Sequence, residues 1–227
     1  MTEVLRRFAT SVTSPIMVDT TQLDVLEAAL KLLGGRAIVN SVNLEDGEGK
    51  ADRVFALARE YGAALVALTI DEEGMAKTAE RKLAVARRLY DLATHRHGLP
   101  GSALLFDALT FTIGSGDEAS RDAGRQTLEA IRLIKRELPG AHALLGLSNI
   151  SFGLAPYPRQ ILNSVFLAEA IDHGLDAAIL NAAKILPLHK IDTAGLEVVR
   201  DLIYDRRRPG YDPLFVFMER FAGAKGP

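Results

Sequence analysis

One pattern constrains this chain more than any other. An apolar run of strand length is followed by an amphipathic stretch and a glycine stop, and the sequence then repeats. The runs are Pro15–Val18, Ala37–Val39, Ala63–Ile70, Ala103–Phe106, Ala143–Leu147 and Ala177–Leu180. None alternates apolar with polar, so each reads as a strand buried on both faces, as parallel strands are. Between them Leu23, Leu26, Ala29, Leu30 and Leu33 keep helical spacing before Gly34-Gly35. Further helices are predicted over Arg53–Tyr61, Thr78–His97, Ala119–Leu138 and Pro158–His173, each closed by Gly62, Gly98, Pro139-Gly140 or Gly174. Strand then helix, repeated, predicts a parallel α/β fold.

Composition narrows the function classes. The 227 residues are 25% charged and 48% hydrophobic, with a net charge of -2, so no basic field marks nucleic acid or membrane as a partner. There are no cysteines, which excludes disulfides and thiolate metal sites, and the five histidines form no His-Glu-x-x-His cluster. No metal is expected. No run of about 18 apolar residues occurs, and Met1–Ser14 lacks a signal core, so the expected location is cytoplasmic. The low aromatic content argues against a single-strand stacking platform.

A second pattern overlies the first. Each predicted strand ends in an acid or an amide: Asp19, Asn40, Asp71, Asp107, Asn149 and Asn181. Strand C-terminal ends share one rim in a (β/α) barrel, so all six side chains are candidates for one mouth. Asp and Asn also favour strand exits as turn formers and helix caps, which explains any one of them but not readily all six. An open doubly wound sheet would carry a glycine-rich phosphate loop after its first strand, where this chain has Asp19-Thr20-Thr21-Gln22. Acids and amides without a cationic clamp suit a neutral heteroaromatic with several donors and acceptors, such as the 2-amino-4-oxo edge of a pterin. A divalent cation is the competing ligand.

Five segments then carry a resemblance: Pro15-Ile16-Met17-Val18-Asp19-Thr20-Thr21, Ile38-Val39-Asn40-Ser41-Val42, Ile70-Asp71-Glu72-Glu73-Gly74, Leu105-Phe106-Asp107 and Gly146-Leu147-Ser148-Asn149-Ile150-Ser151-Phe152. In that order they resemble the pterin-binding, or methyltetrahydrofolate-binding, domain of the cobalamin-dependent methionine synthases. The similarity runs from about Pro15 to Lys190. The tail from Val199 to Arg208, followed by Tyr211-Asp212-Pro213-Leu214, resembles the segment leading towards the cobalamin-binding half. The resemblance implies a dihydropteroate-synthase-like (β/α)8 barrel of TIM type. It implies transfer of the N5 methyl of 5-methyltetrahydrofolate to a Co(I) corrinoid, with cobalamin carried on a partner domain or chain. It implies that Asp107 and Asn40 bind the pterin edge with Asp71, that Asn149 sits near N5 as the catalytic group, and that Asp19 and Asn181 complete the rim. Arg159, which follows the Asn149 loop, is the candidate for the folate glutamate tail.

The chain departs from the family in several places. It has Asp107-Ala108-Leu109 where some members have Asp-Pro-Asn. The two βα units that precede Pro15 in the family, with their Gly-Glu-Arg-x-Asn and Asp-x-Asn stretches, are not found, and a complete barrel of this type takes about 250 residues. The expected organisation is therefore a barrel over 1–190, incomplete at its N-terminus, and a helical extension over 191–227 leading towards a cobalamin module not present here. The corrin-binding Asp-x-His-x-x-Gly signature does not occur. Arg81-Lys82 and Arg87-Arg88 read as a solvated helix face, and Arg206-Arg207-Arg208 as a helix end. His95 and His97 read as capping groups, while His189 lies nearest the rim. Two alternatives stand beside the methyltransferase reading: a dihydropteroate synthase-like enzyme, whose family closes its last strand with Arg-x-His where this chain has Leu180-Asn181-Ala182-Ala183, and a truncated pterin-binding fragment without catalysis.

Overall fold

Each apolar run becomes a strand. A computed structural model describes residues 1–221 and 223, and the chain divides into two compact units. The first comprises Met1–Ala76, Glu80–Asp107 and Ile134–Ala143; the second comprises Lys77–Ala79, Ala108–Leu133 and the residues from Leu144 onward.

The first unit runs α1 (Thr2–Ser11), β1 (Met17–Asp19), α2 (Leu23–Leu30), β2 (Ile38–Val42), α3 (Glu48–Tyr61) and β3 (Ala64–Leu68). A small antiparallel hairpin follows, β4 (Ile70–Asp71) and β5 (Gly74–Met75), then α4 (Ala79–Asp91) and β6 (Leu104–Asp107). β1, β2, β3 and β6 lie side by side and parallel, with Val18 opposite Val39, Val39 opposite Leu65, and Leu65 opposite Leu104. These four side chains are buried, as are Phe55 and Ala58 of α3 and Ala86 and Leu89 of α4. Each fully buried large apolar side chain contributes about 1.5–3 kcal/mol, so the apolar runs specify both the strands and the helix faces that cover them. Gly62 closes α3 at φ 66, in the left-handed region, where its N–H reaches the Ala58 carbonyl.

Three elements have residues in both units: α4, whose first residue Ala79 belongs to the second, α5 (Ala123–Glu137) and β7 (His142–Gly146). The second unit continues with α6 (Pro156–Asp172), β8 (Ala177–Ile179), α7 (Thr193–Ile203) and α8 (Pro213–Phe221). β7 and β8 pair in parallel, with Leu144 opposite Ala177 and Leu145 opposite Ala178. β8 is not buried on both faces as its apolar run suggests: Ile179 is 44% exposed. The physical reason is that, among the described residues, β8 pairs only with β7. α7 packs onto α6 through Glu169, which accepts from Arg200 Nε at 2.9 Å and from the Tyr204 hydroxyl at 2.7 Å. Arg206 and Arg208 turn back to the buried Asp201, and Arg207 pairs with Asp205 and Glu118, so the arginine run is spent on carboxylates. Residues 222 and 224–227 of the expected extension lie outside the described residues. No described helix is long and apolar enough to cross a membrane.

Candidate functional site

In the first unit the parallel register sets the strand-end residues side by side. Asp19 lies opposite Asn40, and Asn40 Nδ2 donates to Asp19 Oδ2 at 3.4 Å. Two strands away, Leu68 at the end of β3 lies opposite Asp107 at the end of β6. Asp107 is 5% exposed, and its backbone carbonyl accepts from both the N–H and the hydroxyl of Thr69, at 3.2 and 3.3 Å. The strand therefore ends with the Asp107 backbone held by Thr69 and its side chain enclosed.

Asp71 is placed differently from the other acids. It sits not at the end of β3 but in the β4–β5 hairpin. Its carboxylate accepts from Arg81 at 2.5 Å and from the Glu73 N–H at 3.1 Å. The hairpin is stapled to α4 by that ion pair, so the Asp71 carboxylate is already shared with a guanidinium.

The basic run on α4 is only in part the solvated face expected from the sequence: Arg87 is exposed and Arg81 and Arg88 are half-buried, but Lys82 is not on that face. Arg81 is taken up by Asp71 and Glu73, Arg87 by Glu137, and Arg88 by Glu48 and Glu72. Lys82 departs furthest, since at 1% exposure its whole side chain lies inside the unit. Burial pushes its ammonium down to about 8, with the Asp107 carboxylate the opposing influence. The helix itself explains the placement. Lys82, Ala86, Leu89 and Ala93 follow i, i+4, i+7, i+11 spacing, and all four are buried. At the end of that helix His97 Nε2 meets Asp52 Oδ1 at 2.7 Å, a structural pairing.

The second unit carries Asn149, Arg159 and Asn181. Asn149 is exposed in the 3-10 turn Leu147–Ser151 that follows β7. Arg159, near the start of α6, donates to Ser151 Oγ at 3.2 Å and to the Ser148 carbonyl at 3.3 Å, so it clamps the turn that presents Asn149. Asn181 accepts from the Ala183 N–H at 3.1 Å, which is the turn-forming use of an amide at a strand exit. Ser148, Tyr157, Arg159, Asn163, Asn181 and Lys184 line a cavity of about 510 Å³. The Asn163 Oδ1 is buried and makes no hydrogen bond among the described residues. The pocket thus combines cations and amides, and is large enough for a ligand fragment. His189 is exposed in a separate turn, Leu188–Lys190.

Lys82 is the group the sequence reading missed. Its helical phase with Ala86 and Leu89 was the available signal, hidden by its place in a basic run.

Comparison with known proteins fits this geometry. The family model "Pterin binding enzyme" matches residues 1–181. The chain is 52% identical over 224 residues to a methionine synthase of Mycobacterium leprae (strain TN), and 52% identical over 226 residues to one of Mycobacterium tuberculosis (strain ATCC 25618 / H37Rv). These alignments cover 97% and 98% of this chain but only 19% of each relative's length. Among solved structures, the dihydropteroate synthase of Stenotrophomonas maltophilia with imidazole in its active site matches 81% of this chain and 69% of its own. The TM-score there is 0.56 at 19% sequence identity, which shows the fold alone: the α/β barrel type of the dihydropteroate synthases. By that family model, which spans most of its length, the chain belongs to the pterin binding enzymes.

Proposed function

We propose that the chain is the module that binds 5-methyltetrahydrofolate and presents its N5 methyl for transfer to a Co(I) corrinoid, as in methionine synthesis. The observation that carries this reading is the 52% identity to methionine synthases across nearly the whole chain, on a scaffold whose strand ends carry acids and amides. In this reading Asp107 receives the 2-amino group and ring N–H of the pterin through charge-assisted bonds, worth about 1.5–3 kcal/mol each. Asn40 and Asp19 supply amide and carboxylate partners along the same strand ends, and Asp71, held by Arg81, joins Asp107 and Asn40 at the pterin edge. Asn149, on its exposed turn, offers a donor and an acceptor at N5, where positive charge must develop before the methyl can leave. A proton from solvent suffices, so no strong acid is required of the chain. Arg159 and Lys184, in the second unit's cavity, are cations of the type that would meet a glutamate carboxylate, with Asn181 on the same wall.

The corrinoid is the methyl acceptor in this reading and supplies the Co(I) nucleophile from another domain or chain. The sequence has no Asp-x-His-x-x-Gly signature with which to hold it, so the chain's own part is binding, orientation and charge stabilisation at N5. The dihydropteroate synthase reading is the weaker one, because β8 leads into Leu180-Asn181-Ala182-Ala183 where that family places Arg-x-His.

The test is a single turnover with free cobalamin reduced to Co(I). Mixing with the chain and 5-methyltetrahydrofolate should bleach the Co(I) absorbance at a rate that Asp107→Ala lowers about tenfold or more at subsaturating folate. A rate no faster than that of cobalamin and folate without the chain would reject the methyltransferase reading.

A further inference from the structure

We infer that Lys82 is a positioning residue for the pterin site: its buried ammonium holds the Asp107 carboxylate ionised and oriented for the pterin edge. The inference rests on the proposed pterin-binding role of Asp107. Three charged side chains are buried among the described residues of the first unit, Asp71, Lys82 and Asp107. Asp71 is paired with Arg81. Lys82 is a second buried cation in the same unit, at 1% exposure, and the enclosed Asp107 carboxylate, at 5%, acts on its charge. Consecutive residues of α4 thus serve the two buried acids, Arg81 facing Asp71 of the hairpin and Lys82 coupled to Asp107 of β6.

The chemistry requires a counter-charge. An enclosed carboxylate without a cation takes up a proton, and a protonated carboxyl cannot accept from both donors of an amino group and a ring N–H. A lysine is suited to the task because its flexible stem reaches the acid from within the helix face and its compact charge need not occupy both oxygens. Lys82 acts through Asp107 and is not assigned any contact with the substrate.

The experiment uses the full chain, with ¹³C-carboxyl NMR of labelled aspartate and folate titrations. In Lys82→Met the Asp107 carboxyl should be raised far enough to be mostly protonated near pH 7, and in Lys82→Arg it should stay near the parent value. Affinity for 5-methyltetrahydrofolate should fall about tenfold in Lys82→Met near pH 7, and the loss should close by about pH 9, where Lys82 of the parent has itself given up its proton. In an Asp107→Asn background, Lys82→Met should change affinity by less than about twofold. An Asp107 titration unmoved by Lys82→Met overturns the proposal, as does a loss of affinity that is the same at every pH or in both backgrounds. Should Lys82→Met fail to fold, the reciprocal measurement decides. Asp107→Asn must lower the Lys82 ammonium titration seen by ¹⁵N NMR, and an unchanged value overturns the coupling. If Asp107 moves with Lys82→Met while Asp107→Ala binds folate as tightly as the parent, the pterin assignment fails and the coupling stands.

Discussion

Replacing Lys82 by Met should change how the stability of this chain depends on pH. A lysine ordinarily titrates at 10.5, and burial brings Lys82 down to about 8. At about 1.4 kcal/mol per pH unit, that gap corresponds to about 3 kcal/mol. At 1% exposure, solvent screening does little to reduce it. The sign follows from proton counting. Between about 8 and 10.5 the unfolded chain holds a proton on this amine that the folded chain has released. Stability therefore rises with pH through that window, and the cost of the buried ammonium is fully present below it. Tyr204 and Tyr211 oppose this trend, because burial raises both hydroxyls and the folded chain keeps their protons longer. The useful quantity is thus the difference between parent and Lys82→Met, in which the tyrosines cancel. Urea unfolding across that pH range should show the parent gaining on the variant by up to about 3 kcal/mol from the lower end to the upper. A difference that stays constant to within about 0.5 kcal/mol would refute the reasoning, since it would mean that Lys82 titrates alike in the folded and unfolded chains.

Three further outcomes are expected. Asn149→Ala should lower the single-turnover methyl-transfer rate more than it lowers folate affinity; equal losses in both would reassign Asn149 to plain binding. Gly101→Ala should destabilise the first unit by about 1–3 kcal/mol, because the added Cβ would meet the Pro139 carbonyl at 2.3 Å, where Tyr90 also donates; an unchanged urea midpoint would contradict this. α1 exposes Val4 and Phe8 one turn apart, Val12 just beyond the helix is exposed too, and β1 pairs on one side only among the described residues. Sedimentation should therefore show self-association that Phe8→Lys weakens; a parent chain that stays monomeric at about 100 μM would contradict this.

The fold was legible because the strands here are uniform apolar runs. Val39, Leu65, Val66 and Leu104 are all buried, and glycines such as Gly62 and Gly174 mark where helices must stop. The strand-end acids were legible as a set, but their individual surroundings were not. Asn181 caps its own turn and Asp71 sits in a hairpin, outcomes that depend on the turn each strand exits into. Arg159 was visible as a cation after the Asn149 loop, but not as the clamp on that loop, because its partners are a backbone carbonyl and a serine hydroxyl. Lys82 was hidden by composition. A basic pair beside another basic pair reads as solvent-facing until helical phase is applied, and phase places Lys82 with Ala86 and Leu89 rather than with Arg81.

The measurement that tests the central claim most directly is a calorimetric titration of the chain with 5-methyltetrahydrofolate, repeated with a free tetrahydropterin and with p-aminobenzoylglutamate. If the strand-end carboxylates read the pterin edge, methyltetrahydrofolate gives a saturable isotherm, the tetrahydropterin competes for it, and p-aminobenzoylglutamate alone does not. Asp107→Ala then weakens binding about tenfold or more, and Asp107→Asn weakens it less. A chain that unfolds cooperatively yet shows no pterin-dependent heat, or an Asp107→Ala variant that binds as tightly as the parent, would contradict the account.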